Sequence, residues 1–315
     1  MIVGLTPMRV ACIGECMVEF AQEDGSLFRR GFGGDTLNTA LYLSRLGVPT
    51  SYVTALGDDP LSAMMLVAWR AEGIDTSEVL QVEGRVPGLY MIERDARGER
   101  SFLYWRDRAP ARELFDRADR DMLDRLSRFD WIYLSGISLS LYGETGKAKL
   151  RELLTVARKR GARVVFDGNY RPRGWASREV AQRAFRAILP LVDIALPTLE
   201  DEQMLFGDAD ASVCLRRFKE AGVGEVVVKR GPRGCLIHAD GVLVDIAPPA
   251  VLQPIDTTAA GDSFNAGYLA ARIKGMPPRK AALAGHRLAG AVIMAPGAVI
   301  PATAMPRDIL ALSEA

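Results

Sequence analysis

Two hydrophobic periods alternate along this chain. Short apolar runs of strand length occur at Arg9–Gly14, Tyr52–Leu56, Trp131–Leu134, Arg163–Phe166 and Glu225–Lys229, with a shorter one near Ile194. Between them lie segments whose apolar residues recur at helical spacing. They predict helices over Leu37–Leu46, Pro60–Glu72, Thr145–Lys159 and Arg178–Leu189, near Glu200 and Cys214, and over Ala260–Ile273 and Pro278–Ala295. Asp35 can cap the first of these, Gly47 and Pro49 follow its end, and Gly73 stops the second. Strands alternating with helices imply a parallel sheet covered on both faces. Gly88–Arg94 and Arg100–Arg106, joined by a hairpin turn at 95–99, break that rhythm, and Cys235–Ala239 with Val242–Ile246 form a second hairpin-like pair. The expected architecture is a single doubly wound α/β domain over residues 1–315, its sheet mostly parallel, carrying a small inserted β-sheet near 85–107 that could act as a lid.

Composition narrows the function classes. The 315 residues carry 40 Lys+Arg against 39 Asp+Glu, a net +1, so there is no basic excess for a dedicated nucleic-acid partner. With 49% hydrophobic residues, the chain is not of the disordered class. No apolar run reaches membrane-span length, and the start lacks a signal-peptide pattern, with Met8 a candidate natural start just before the first strand. Four cysteines and two histidines show no zinc spacing, which fits free thiols in a reducing cytoplasm. Only seven of the 40 cations are lysine, so an arginine counts as a site candidate only when a motif fixes its position.

Gly143-Glu144-Thr145-Gly146-Lys147 imitates the end of a phosphate-binding P-loop, but Leu141 and Ala148 stand where Gly and Ser or Thr belong. It reads as an ordinary helix start. The strongest segment is Ile255-Asp256-Thr257-Thr258-Ala259-Ala260-Gly261-Asp262-Ser263-Phe264. Small residues at a loop-to-helix junction let an anion approach the helix's unpaired amides, where the dipole favours it. Asp262 falls in the first turn, where an aspartate can also be a simple cap.

That segment resembles the C-terminal Asp-Thr-x-Gly-Ala-Gly-Asp signature of the ribokinase-like (PfkB) carbohydrate kinases. Ala259 stands where the family usually has glycine, a change that a negative φ would tolerate. The resemblance implies that the amides of Ala259, Ala260 and Gly261 form an anion hole and that Asp262 is the catalytic base, a role suited to phosphoryl transfer. Gly33-Gly34-Asp35-Thr36-Leu37-Asn38 resembles the family's N-terminal Gly-Gly-x-x-x-Asn motif, in which the glycines admit the sugar and Asn38 binds its hydroxyls. Lys229-Arg230-Gly231-Pro232-Arg233-Gly234 is similar to the family's nucleotide turn, and Thr198 and Asp201 occupy its Asn-x-x-Glu motif. The implied nucleotide-binding residues are Asn169, Thr198, Lys229, Gly231, Arg233, Gly234, Ala259, Ala260, Gly261 and His286, with Asp201 on the metal. ATP and Mg²⁺ are the implied cofactors, and a monovalent cation is an option.

Within the family, Phe32–Thr39, Pro87–Tyr90, Tyr104–Arg106, Leu134–Ser138 and Asn169–Arg173 are similar to kinases of 2-keto-3-deoxygluconate. The implied substrate contacts are Gly33, Gly34, Asp35, Asn38, Tyr90, Tyr104, Arg106, Arg171 and Asp262. Two arginines suit a substrate carboxylate, which a guanidinium pairs in two-point geometry. The resemblance also implies a lid built from segments of about 15–33 and 85–107, and a homo-oligomer formed through it. A kinase for a neutral sugar such as fructose or ribose, or a sugar-acid sensor without catalysis, are the alternatives.

Overall fold

In the computed structural model, which describes residues 7–94 and 100–311, the alternating pattern folds into one wide sheet and one narrow sheet. The chain begins with β1 (Val10–Ile13), β2 (Met17–Asp24), β3 (Leu27–Gly33), α1 (Asp35–Arg45), β4 (Thr50–Gly57), α2 (Pro60–Ala71), β5 (Val79–Val82), β6 (Leu89–Arg94) and β7 (Arg100–Trp105). It continues through α3 (Leu114–Arg117), α4 (Arg120–Leu126), β8 (Trp131–Ser135), α5 (Gly136–Leu141), α6 (Glu144–Lys159), β9 (Arg163–Asp167), α7 (Arg178–Ile188) and β10 (Ile194–Ala195). It ends with α8 (Leu199–Phe206), α9 (Ala211–Glu220), β11 (Glu225–Lys229), β12 (Cys235–Ala239), β13 (Val242–Ile246), α10 (Ala260–Ile273) and α11 (Pro278–Val292).

The wide sheet has the order β13-β12-β11-β10-β9-β8-β1-β4-β5 among the described residues. Its pairs are parallel from β11 to β5, and β12 and β13 add an antiparallel edge. The central strands are mostly apolar because both of their faces are covered. In β8, Trp131 and Tyr133 join one core with Leu41, Leu269 and Leu288, while Ile132 and Leu134 join the other with Phe115, Leu150 and Phe185. Strand periodicity thus assigns successive residues to opposite cores.

The narrow sheet, in the order β3-β2-β6-β7, leaves the body between β1 and α1 and again between β5 and α3. The hydrophobic pattern alone reads the stretch before α1 as a loop, because β2 and β3 are largely half-exposed and show no clean apolar run. The same reading passes over β5 and the short helices α3 and α4. Asp35 is not the cap of α1: Gly34, in extended conformation, holds that place, and Asp35 is the first helical residue. The last helix stops at Val292, short of Ala295. Gly143 caps α6, as an ordinary helix start requires. The hairpin turn at 95–99 and the segment 1–6 lie outside the described residues.

All four cysteines are free and buried. No helix among the described residues is long and apolar enough to cross a membrane. The cores hold large side chains edge to face, such as Phe166 and Phe185 with centroids 5.2 Å apart. Phe166 is fully buried on β9, so Phe166→Ala should cost roughly 3–5 kcal/mol, read as a lower denaturant midpoint at unchanged slope.

Candidate active site

Parallel α/β sheets bind ligands beyond the carboxyl ends of their strands, where the strand order reverses. Here the reversal lies between β1 and β8, and α1 and α10 both begin nearby. Three elements each bring one aspartate and one asparagine to that point: α1 supplies Asp35 and Asn38, the end of β9 supplies Asp167 and Asn169, and α10 supplies Asp262 and Asn265. Each amide reaches the carboxylate of the next element. Asn38 donates to Asp262 at 2.8 Å, Asn265 to Asp167 at 2.8 Å, and Asn169 to Asp35 at 2.7 Å. These three bonds close a ring across more than 200 residues of sequence, with 224 separating Asn38 from Asp262.

Lys229, at the end of β11, supplies the ring's cation. Its Nζ donates to Asp167 and to Asn265 Oδ1, each at 3.1 Å. A Cβ added to Gly261 would lie 3.5 Å from that Nζ, so the ammonium borders the first turn of α10. Tyr133 Oη accepts from Thr39 and Asn265 behind the ring. Burial raises the Asp262 carboxyl to about 8, and the negative charge of Asp35 adds to the rise while Asn38 opposes it. Asp35 is raised too, first by burial, with hydrogen bonds from Ser135 and Asn169 opposing. In this enclosed setting Asp262 is a base of unusually high proton affinity.

The turn before α10 departs from expectation at one residue. Ala259 has φ +60° and ψ +17°, so the condition under which its methyl would be tolerated freely, a negative φ, is not met. The left-handed conformation costs an L-residue roughly 1–2 kcal/mol. Asp256 secures the turn by accepting from the Thr258 amide and hydroxyl and from the Gly297 amide. Ala260 N–H turns back to the Thr257 carbonyl, whereas the next amides of the first turn have no carbonyl ahead of them in the helix.

Other sequence candidates fall into three groups. Gly33, Gly34, Asp35 and Asn38 lie in or against the ring, and a Cβ on Gly33 would meet the Tyr90 hydroxyl at 2.2 Å. Tyr90 donates to Glu19 and lies 5.9 Å, centroid to centroid, from the exposed Tyr104. Arg106 is on the same small sheet's return to the body, ion-paired with Glu15. Arg171 and Asp201 pair with each other at 3.1 Å. That places the expected metal residue and one expected substrate arginine in a single contact.

The third group gathers around the carboxyl end of β11. Thr198 bridges to Lys229. Gly231 and Gly234 both have positive φ, and a Cβ on Gly234 would fall 2.0 Å from the Ile246 carbonyl oxygen, so that position requires glycine. Arg233 is exposed, 3.9 Å from Glu200. His286 meets the Phe264 ring at 5.0 Å, and burial lowers it to about 4, so it is neutral at pH 7. The sequence reading missed Asp167, Asn265, Tyr133, Glu15 and Glu19. The available signals were an aspartate ending an apolar strand and an asparagine three residues after Asp262.

A profile of the family described as pfkB family carbohydrate kinase matches residues 8–305. The chain belongs to this family. Among curated relatives it is 48% identical over 308 residues to the 2-dehydro-3-deoxygluconokinase of Escherichia coli K12, covering 95% of this chain and 99% of that one. It is 46% identical over 312 residues to the enzyme of the same name from Dickeya dadantii, covering 96% and 100%. Among solved structures, a fructokinase with bound ATP from Xylella fastidiosa superposes with a TM-score of 0.84 at 21% identity, covering 96% of this chain and 97% of that one, a likeness of fold.

In this pfkB kinase the strain at Ala259 should be measurable. Ala259→Gly is expected to raise stability by about 0.5–1 kcal/mol, the relief of the left-handed alanine less the added freedom of the unfolded glycine. A higher urea midpoint would show it.

Proposed function

We propose that this kinase transfers the γ-phosphoryl group of ATP to the terminal hydroxyl of 2-keto-3-deoxygluconate. The observation that carries the reading is Asp262, a buried high-affinity base in the first turn of α10, beside Lys229 and open helix amides. The sugar hydroxyl gives its proton to Asp262 as its oxygen bonds to the γ-phosphorus, and the bond from that phosphorus to the ADP oxygen breaks. Charge builds on the transferred group, and we assign its stabilisation to Lys229 and the amides of Ala259 and Gly261; the Ala260 amide, expected to share in it, is instead bonded to the Thr257 carbonyl. Asn38 holds the carboxylate that takes the proton and also offers hydrogen bonding to sugar hydroxyls.

Nucleotide binding is assigned to the Lys229–Gly234 turn, Thr198, Asn169 and the flat neutral face of His286. Among the described residues no three His, Cys, Asp or Glu side chains gather as a metal cage. Mg²⁺ keeps waters and phosphate oxygens and needs only one or two carboxylates. Asp201, an oxygen donor buried in the fold and held by Arg171, fits that part. Bound Mg²⁺ would neutralise phosphate charge. No residue is assigned to a monovalent cation.

The acid end of the sugar is assigned to Arg106 and Arg171, with Tyr90 and Tyr104 alongside. These residues and the relatives' names favour a sugar acid over a neutral sugar. The small sheet is read as a lid whose closure excludes water, a competing phosphoryl acceptor. Its exposed apolar side chains, Leu27, Phe102, Leu103 and Trp105, and a groove of about 590 Å³ lined by Phe20, Phe28, Leu89 and Met91, support a homo-oligomer through this sheet.

Asp262→Asn should nearly abolish ADP release while sugar binding, followed by calorimetry, survives; near-normal turnover would overturn the base. The base must be ionised to accept a proton, so kcat/KM for the sugar should rise with pH and level off above about 8 in the wild type. Comparing 2-keto-3-deoxygluconate, fructose and ribose in a coupled assay tests the substrate. Preference for a neutral sugar removes the sugar-acid reading, and no turnover with any of the three indicates a sensor. Arg106→Ala should raise KM for the sugar acid far more than KM for ATP.

A further inference from the structure

Glu15 stands where the four connections between the small sheet and the body converge. It lies between β1 and β2 and is crowded by the residue after β3 and by the residue before β6. A Cβ on Gly34 would fall 2.2 Å from the Glu15 carbonyl oxygen, and a Cβ on Gly88 would fall 3.0 Å from its Oε1. The fourth connection brings in Arg106, just past β7, whose Nη2 donates to Glu15 Oε2. The Glu15 side chain is 1% exposed.

This ion pair is only half satisfied. Among the described residues Glu15 Oε1 is buried with no hydrogen-bond partner, and so is Arg106 Nε. Among the described residues, Nη2 is the only nitrogen of that guanidinium that donates a hydrogen bond. Buried polar atoms left unpaired are costly unless a ligand or water completes them. A guanidinium carries five donors in a rigid fork and can serve two carboxylates at once.

We infer that Glu15 is a positioning residue for the sugar acid: it grips Arg106 by one edge at the root of the small sheet and so aims the remaining donors at the substrate's carboxylate. This rests on the reading of Arg106 as a carboxylate-binding group. A rival arrangement would have Glu15 mimic the substrate and release Arg106 when the sugar acid arrives. Burial disfavours release, because it would strand a carboxylate that has no other hydrogen-bond donor among the described residues and that Asp35 repels. Arg112 lies close enough to act on Glu15 electrostatically, so a second positive charge helps the site accept another anion. Because the pair joins the first and last connections of the small sheet, the same contact that orients Arg106 also fixes that sheet on the body.

The test compares dissociation constants, by titration calorimetry, for 2-keto-3-deoxygluconate and for its analogue with the carboxylate reduced to a hydroxymethyl group. Glu15→Gln should weaken the acid about tenfold and the analogue less than about twofold, a selective loss that general destabilisation would not produce. In an Arg106→Ala background the same substitution should add nothing further. Equal weakening of acid and analogue, unchanged affinity, or tighter binding of the acid overturns the proposal, and the last outcome is the one the release arrangement expects. Arg106→Lys keeps the charge but not the fork, so it should lose the acid preference as fully as Arg106→Ala. Wild-type affinity in Arg106→Lys overturns the positioning role even if the Glu15 variant does not fold. An Arg106→Ala protein that still prefers the acid overturns the reading of Arg106 itself, which separates the two failures.

Discussion

Three aspartate–asparagine hydrogen bonds, arranged head to tail, hold the site together. Asp35, Asp167 and Asp262 come from different elements, and each is met by an asparagine from another. Carboxylates buried this close repel, and an amide donor satisfies an oxygen without adding a formal charge. Lys229 is the ammonium bonded into the ring, and it reaches Asp167 and Asn265 rather than Asp262. Burial and the charge of Asp35 therefore outweigh the more distant ammonium, and the base holds a proton near neutrality. A direct lysine partner would stabilise the carboxylate and weaken it as a base.

The ring also decides how the two halves of the molecule meet. Asn38 near the start of the chain and Asp262 near its end belong to helices whose first turns lie side by side at the reversal of strand order. The positive ends of α1 and α10 both point toward the same crevice and favour negative charge there. A sugar acid and a nucleotide polyphosphate are both anions. Helix ends, one lysine and a few arginines can receive them in a protein whose overall charge is only +1.

Local strain and local permissiveness divide the work around that crevice. Gly33, Gly34 and Gly88 keep backbone close to Tyr90, Glu15 and Arg106, where any side chain would collide. Ala259 does the opposite, holding a left-handed conformation that glycine would adopt at lower cost. The network around Asp256 fixes this turn from Thr258 to Gly297, and such bracing is what lets a strained residue persist beside the first turn of α10.

The hydrophobic periods by themselves determined the α/β class, the central strands and most of the helices, because a strand buried on both faces and an amphipathic helix each leave an unmistakable spacing. The small-residue turns at the starts of α1 and α10 were legible for a related reason: close backbone approach restricts residue type over several adjacent positions. The half-exposed strands β2 and β3 left no such mark on the pattern, and the capping role expected of Asp35 went to Gly34 once its carboxylate had Asn169 as a partner. Only the tertiary structure decided which amide serves which carboxylate, that Ala259 is left-handed, and that Glu15 grips Arg106. The carboxylate–amide pairs and the Glu15–Arg106 contact depend on groups 91 or more residues apart being brought together in a dry space, and the Ala259 turn on the Asp256–Gly297 bond across 41 residues; sequence spacing carries no information about such contacts.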